Sequence, residues 1–477
     1  MDKFRYPALL TDLYELTMLA GYFDEGMSEQ PAVFDLFYRH NPFQGSYAVF
    51  AGLEPALHYL RDLRFADADL AYLQSLGIFK PAFLDFLKDF RFRGKITAPP
   101  EGTVVFANEP LLTVEGNLAE AQFVETALLN IVNFQTLVAT KAARLTQAAG
   151  AGVVVEFGLR RAQGPDGGLS GARAAYVGGV RSTSNVWAGQ LFGIPVKGTH
   201  AHSWVMAFAD ELTAFRAYAE CFPDSCILLV DTYDTLTSGL PNAITVAREL
   251  RAKGHEIVGV RLDSGDLAYL SKEARRMFDE AGFPDAKIVA SNELDEYVIH
   301  SIRDEGGRID IYGVGTRLAT CAGEGGGALG GVYKLVRLGD LPKLKVTSDI
   351  AKATLPDRKR VLRAVRPDGR FEMDILCLSG EELRPGDTVY DPTNPARHKP
   401  IPQGVVLEDL RQVVMANGEI LAPLPSLDRL ADRSADQLRR LPDGSLRLTN
   451  PHLYKVAMSG GLHELRTRLM EGYETGE

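Results

Sequence analysis

The chain has 477 residues, 45% of them apolar, and its 52 basic and 62 acidic side chains give a formal charge of −10 and a pI near 5.5. That length accommodates about three average domains, or one large barrel with a second domain. The acidic balance excludes a global field that recruits nucleic acid or an anionic membrane, so an anionic ligand has to be held by a local group of cations. The cysteines, Cys221, Cys226, Cys321 and Cys377, form no CxxC pair and have no histidine at zinc-ligand spacing, as expected of free thiols in a reducing compartment. The first residues carry acids inside their apolar pattern, unlike a signal peptide, and no apolar run reaches the ~18 residues of a membrane span, so a cytoplasmic location is expected.

In chain order, Leu9–Phe23 has helical periodicity with Thr11 as N-cap, and Val33–Tyr38 alternates like a strand. Tyr47–Leu60 and Lys80–Phe90 read as helices, and short strands fall at Ile96, Thr103–Phe106 and Leu111–Val114. Asn117–Ala149 lacks Gly and Pro and reads as one long helix or two in line. At Val153 the texture changes. Strands are expected at Val153–Phe157, Ile194–Lys197, Cys226–Asp231, Ile257–Leu262, Lys287–Ser291, Ile309–Val314 and Val332–Val336, with helices between them. About seven strands alternating with helices suit an irregular, TIM-like (β/α) barrel, closed or partly closed. After Gly339, Pro367-Asp368-Gly369 and Asn417-Gly418 read as hairpin turns, and Leu462–Glu471 as a helical tail. The fold class is therefore α/β, with residues 1–150 and 340–477 building an α+β part and residues 151–339 the barrel. Gly323–Gly331 reads as a flexible loop at a strand end.

Chemistry-bearing residues fall at the C-terminal ends of the expected barrel strands, where parallel α/β folds bind ligands. Glu156-Phe157-Gly158 is followed by Arg160 and Arg161 and then Gly164-Pro165-Asp166-Gly167-Gly168. Arginine forks and glycine-exposed backbone N–H groups suit a phosphate; a solvated pair beside a turn is the plain alternative. Gly198-Thr199-His200-Ala201-His202 offers two histidines, as acid/base, nucleophile or structural groups; a metal pair would need further ligands. Asp231 ends an apolar strand and is suited to orient an imidazole through its Nδ1–H, whereas Asp234 or Thr235 suits a cap. Arg261 suits a carboxylate or phosphate, Asp263 ribose hydroxyls or a hydrated Mg²⁺, and Asp266 a helix N-cap. Gly313-Val314-Gly315-Thr316 matches the phosphate cradle of late barrel strands, although a short GxGT is common. Together these ends call for a phosphorylated, sugar-like ligand.

The chain resembles the nicotinate phosphoribosyltransferase family, in the type II phosphoribosyltransferase group. The resemblance rests on LLTDLYELTM (Leu9–Met18), VEFGLRRAQGPDGGLSGARAAYVGG (Val155–Gly179), GTHAHS (Gly198–Ser203), LLVDTYDTL (Leu228–Leu236), GVRLDSGDL (Gly259–Leu267) and YGVGTRLAT (Tyr312–Thr320), and VYKL (Val332–Leu335) and the KVTSD…TLPDRK segment extend it. It implies transfer of the phosphoribosyl group of 5-phosphoribosyl 1-diphosphate (PRPP) to nicotinate, giving nicotinate mononucleotide and diphosphate in NAD salvage, with ATP hydrolysed alongside. Two alternatives remain open, a sister enzyme for nicotinamide or quinolinate and a non-catalytic binding protein of NAD metabolism.

By that resemblance His202 is the histidine phosphorylated by ATP, with Asp231 orienting it and His200 only a neighbour. Phe157 stacks on the pyridine ring, and Tyr14 on its other face from the second subunit of a homodimer. Arg261 and Thr199 bind nicotinate; Arg160, Asp263, Gly315 and Thr316 hold the phosphates and ribose of PRPP. Ser184 stands where the related nicotinamide enzyme has an aspartate, which favours a carboxylate substrate. Mg²⁺ is implied with ATP and PRPP, and no tightly bound organic cofactor.

Overall fold

The computed structural model describes residue 4, residues 6–345 and residues 354–475. Most of the KVTSD segment therefore lies outside the described residues. The chain divides into two compact units, Met1–Thr140 with Glu324–Glu477, and Lys141–Gly323.

The first unit is built on a seven-stranded and a six-stranded sheet. In the seven-stranded sheet, Pro31–Tyr38 lies between Leu112–Asn117 and Gly331–Leu338, antiparallel to both. The last of these contains Val332–Val336, expected as a barrel strand. Lys334 and Arg337 interrupt its apolar residues, and such alternation suits an antiparallel strand better than one buried on both faces. Tyr333 stacks on Phe34 at 4.9 Å and donates its hydroxyl to the carbonyl of Ala121, which fixes it there. The expected hairpin at Pro367-Asp368-Gly369 joins Lys359–Val365 to Phe371–Leu378 with a bulge after Ala364. Asn417-Gly418 turns Gln412–Ala416 back onto Glu419–Ile420. The first helix, Leu13–Asp24, has Asp12 in its cap position, one residue later than expected. Tyr47–Leu60 is not one helix: Ala48–Val49 is a strand, and the helix Leu53–Asp62 starts only after Gly52, whose φ of 95° no helix tolerates. Asn117–Ala149 forms two helices, Leu118–Phe123 and Glu125–Ala149, separated by Val124.

The second unit is a parallel sheet flanked by helices. Its strands are β1 (Val153–Glu156), β2 (Ile227–Leu229), β3 (Gly259–Leu262), β4 (Lys287–Ser291) and β5 (Ile311–Val314), in the spatial order β1-β5-β4-β3-β2. Leu228, Leu229, Val260, Leu262 and Val314 are fully buried, each large side chain contributing about 1.5–3 kcal/mol. The helices, numbered in chain order, are α1 (Gly164–Val177), α2 (Val186–Phe192), α3 (His202–Met206), α4 (Glu211–Cys221), α5 (Leu240–Ala252), α6 (Leu267–Glu280), α7 (Glu296–Asp304) and α8 (Thr316–Ala319). Side chains of Asn185, Asp210, Asp266 and Asp295 cap α2, α4, α6 and α7, accepting N–H bonds that the first helical turn cannot satisfy itself. Asp234 does the same for a π-helical turn at Thr235–Gly239. Asp266 and Asp234 thus have the capping roles read from the sequence.

Beyond β1 the sheet continues through single parallel bridges, Glu156 to Thr183 and Thr183 to Val196. Ile194–Lys197, expected as a strand, is only that bridge: Pro195 cannot donate to a ladder, and Val196 is 45% exposed. At the opposite edge, the N–H of Leu229 on β2 donates to His200 Nε2 at 3.2 Å. The ring of His200 thus takes a backbone donor at that edge of the sheet, where no further strand pairs with β2 among the described residues.

Candidate active site

The C-terminal ends of β2, β3 and β4 bring together a connected group of polar side chains. Arg261 leaves β3 only 13% exposed and acts as the hub. Its Nε donates to Ser291 Oγ at 3.0 Å, one terminal nitrogen to Thr199 Oγ1 at 2.7 Å and to the His200 carbonyl at 3.3 Å, and the other to Asp263 Oδ1 at 3.4 Å. The Ser291 hydroxyl donates to Asp263 Oδ1 in a short hydrogen bond. A charged fork with acceptors on three sides is held rigidly, which is what orientation of a carboxylate ligand needs.

The side chain of Asp231, just past β2, is 1% exposed. Its Oδ2 accepts the Asp263 N–H and the Ser264 hydroxyl, each at 2.7 Å. Its Oδ1 has no hydrogen-bond partner among the described residues and lies 4.0 Å from His202 Nε2. Asp263 Oδ2 is 3.7 Å from the same nitrogen. His202 opens α3 with its side chain 39% exposed, and its Nδ1 faces Thr232 Oγ1 at 3.2 Å. This corrects the expectation that Asp231 holds Nδ1: Thr232 occupies that side, and both carboxylates face Nε2 instead.

His200 is 8% exposed, and burial lowers its pKa to about 4. The ring is therefore neutral, with Nε2 accepting from Leu229 and Nδ1–H donating to the Ala201 carbonyl at 3.3 Å. It is a clasp for the loop that carries Thr199 and His202, a role that nothing in its spacing announced.

At the ends of β1 and β5 the geometry is set by close backbone approach. Phe157 donates its N–H to the Val314 carbonyl at 2.8 Å, and its ring lies 2.5 Å from where a Cβ on Gly313 would sit. The same absent Cβ would lie 3.4 Å from Ser291, so Gly313 joins this cluster to the Arg261 hub. Gly315 is packed beneath the Phe157 carbonyl, and Thr316 begins α8. Arg160 and Arg161 are exposed on a short 3₁₀ turn, Leu159–Arg161, and Gly164–Gly168 forms the first turn of α1 rather than a loop. Ser184 is half-buried and donates its N–H to the Glu156 carbonyl at 2.8 Å. Tyr14 belongs to the first unit, 45% exposed on Leu13–Asp24. Thr183, Thr232, Ser264 and Ser291 were missed in the sequence; the signal for Ser291, a hydroxyl ending an apolar strand, was present.

A parallel α/β barrel presenting an imidazole, two carboxylates, a fixed guanidinium and exposed arginines at its strand ends defines an enzyme for an anionic, sugar-phosphate-like ligand. The chain matches three family models: the nicotinate phosphoribosyltransferase N-terminal domain over residues 9–133, the nicotinate phosphoribosyltransferase family over 153–323 and its C-terminal domain over 358–466. It is 44% identical to nicotinate phosphoribosyltransferase of Bacillus subtilis (strain 168), covering 98% of this chain and 97% of that protein. Identity to the Homo sapiens protein of the same name is 37%, covering 97% of each. The crystal structure of human nicotinic acid phosphoribosyltransferase superposes with a TM-score of 0.86 at 36% identity, covering 96% of this chain and 99% of that one. The chain belongs to the nicotinate phosphoribosyltransferase family.

Proposed function

We propose that the protein transfers the 5-phosphoribosyl group of PRPP to nicotinate, releasing diphosphate and nicotinate mononucleotide for NAD synthesis, with ATP consumed through a phosphohistidine. The family membership and the 44% identity over nearly the full length support the transfer reaction. The Arg261–Ser291–Asp263–Asp231–His202 network is the observation that carries the assignment of roles.

The pyridine nitrogen attacks C1 of the ribose as the C1–O bond to diphosphate breaks, and no proton has to move. The enzyme's task is alignment and stabilisation of charge. Arg261, with Thr199, holds the pyridine carboxylate; Phe157 supports the ring and Ser184 presents no opposing charge. Arg160, Gly315 and Thr316 receive the 5-phosphate, and Asp263 the ribose hydroxyls. In the coupled step a His202 ring nitrogen attacks the γ-phosphorus of ATP, ADP leaves, and water later cleaves the N–P bond. Asp231 and Asp263 beside Nε2 stabilise the imidazolium character that develops.

Among the described residues no group of three or more His, Cys, Asp and Glu side chains is arranged to hold a metal ion by itself. Mg²⁺ ordinarily uses one or two carboxylates with substrate phosphates, and the buried, unpartnered Oδ1 of Asp231 beside Asp263 fits that mode. Bound there with ATP or PRPP, it supplies neutralisation of phosphate charge. The exposed Leu13 and Tyr14 support a homodimer in which Tyr14 reaches the pyridine of the second subunit's site. Free cysteines, and the lack among the described residues of a helix long and apolar enough to cross a membrane, support a cytoplasmic location.

Incubation with γ-labelled ATP tests the histidine's role. Acid-labile label on the wild type and none on His202→Ala is expected; equal label on both refutes it.

A further inference from the structure

One buried carboxylate has no part in the chemistry above. Glu156, the last residue of β1, is 4% exposed and lies immediately before Phe157. One of its oxygens accepts the N–H of Gly158, and the other the hydroxyl of Thr183, both in short hydrogen bonds. Burial raises its pKa while these two donors pull it down. A carboxylate in this position therefore spans Phe157 from below, joining the turn after it to the next segment of the sheet.

Thr183 is 1% exposed, and its hydroxyl oxygen also accepts the N–H of Asn185 at 2.9 Å. Asn185 is fully buried; it caps α2 through Ala188 N–H at 3.1 Å and donates to the Gly168 carbonyl in α1 at 3.2 Å. Ser184 lies between these two locked residues, and its own N–H returns to the Glu156 carbonyl at 2.8 Å. The turn has no slack on its other side either. A Cβ on Gly158 would come within 2.4 Å of Ala319 Cβ, 2.8 Å of the Glu156 carboxylate and 2.9 Å of the Gly315 carbonyl. Phe157 and Ser184 are thus fixed relative to each other by one carboxylate and one hydroxyl together with the Ser184–Glu156 backbone bond.

We propose that Glu156 and Thr183 are positioning residues that set the separation of the Phe157 ring and Ser184, and so tune recognition of the pyridine and its 3-substituent without touching it. This rests on the roles of Phe157 and Ser184 in the function proposed above. Thr183 sits in single sheet bridges on either side, so the side-chain clamp supplements a short run of backbone bonds rather than a long ladder.

The test uses the full chain and initial rates with nicotinate, nicotinamide and PRPP. Thr183→Val keeps the shape and removes the hydroxyl, leaving one carboxylate oxygen unpaired. It is expected to raise the KM for nicotinate about tenfold, the loss of a hydrogen bond to a buried charge, and to narrow the preference for nicotinate over nicotinamide. The KM for PRPP should rise less than that for nicotinate, since Thr183 bonds Glu156 and Asn185 and none of the residues assigned to the phosphates. Thr183→Ser, which restores the hydroxyl, should recover most of the loss, and Glu156→Gln should move the constants in the same direction as Thr183→Val. An unchanged nicotinate KM in Thr183→Val, or equal rises for both substrates that Thr183→Ser does not reverse, overturns the proposal. Should Glu156→Gln not fold, the Thr183 pair alone decides. Failure of the wild type to use nicotinate refutes the proposed function; wild-type turnover with unmoved variants overturns the clamp alone.

Discussion

Replacing Arg261 is the sharpest perturbation of the site. Its guanidinium donates to Thr199, the His200 carbonyl, Ser291 and Asp263, so Arg261→Ala leaves a half-buried carboxylate without its counter-charge and the nicotinate carboxylate without its fork. Loss of one hydrogen bond to a charged group costs about 1.5–3 kcal/mol, which predicts a fall in kcat/KM for nicotinate of roughly ten- to 150-fold. Arg261→Lys keeps the charge but not the planar fork, and should lose nearly as much. Nicotinamide has no carboxylate, so its smaller kcat/KM should fall less, and the nicotinate-to-nicotinamide ratio should drop. The assay is initial-rate formation of mononucleotide at saturating PRPP and ATP, with circular dichroism to verify folding. A change of less than about threefold with nicotinate, or an equal loss for both pyridines, would refute the assignment.

Three further outcomes follow from the geometry. His200→Ala leaves the buried Leu229 N–H without its acceptor and should destabilise the protein by about 1–3 kcal/mol in chemical denaturation. Because the folded-state pKa of His200 is lowered to about 4, the unfolded chain takes up a proton first as pH falls; its share of stability is present above about pH 6.5, is lost towards pH 4, and should flatten in the variant. Glu15, fully buried, shares the Gln122 amide with Glu125, and burial raises its pKa to about 7. Its stabilising contribution is complete below about pH 4.5 and is lost as pH rises through 7, so Glu15→Gln should raise the melting temperature relative to wild type at pH 8 more than at pH 5; the reverse order would contradict the burial argument. Gly313→Ala places a methyl group 2.5 Å from the Phe157 ring and should raise the nicotinate KM, whereas unchanged kinetics would show that the ring is free to move.

The strand ends were legible in the sequence because buried parallel strands are short apolar runs, and the residue after each run is where polarity returns. Asp231, Arg261 and Gly313 announced themselves in that way, and the apolar texture of β1 to β5 gave the class of fold. What the sequence left hidden were features that depend on which segments become neighbours. Val332–Val336 has the composition of a barrel strand, but its pairing with Pro31–Tyr38 is fixed by contacts such as Tyr333 on Phe34, about 300 positions apart in sequence. The side of His202 that faces Asp231 goes with the contact of its other nitrogen to Thr232, and a one-dimensional pattern does not carry a ring orientation. His200 looked like a spare histidine because its partner is a backbone N–H on β2 rather than another side chain. Glu156 and Thr183 are residues 27 positions apart whose hydrogen bond exists only once the edge of the sheet has formed.

Substrate choice is the most direct test of the proposed reaction. Initial rates should be measured for nicotinate, nicotinamide and quinolinate, each with PRPP and Mg²⁺, with and without ATP. Nicotinate should be the preferred acceptor and ATP should increase mononucleotide formation, whereas a preference for nicotinamide or quinolinate, or no product from nicotinate, would contradict it.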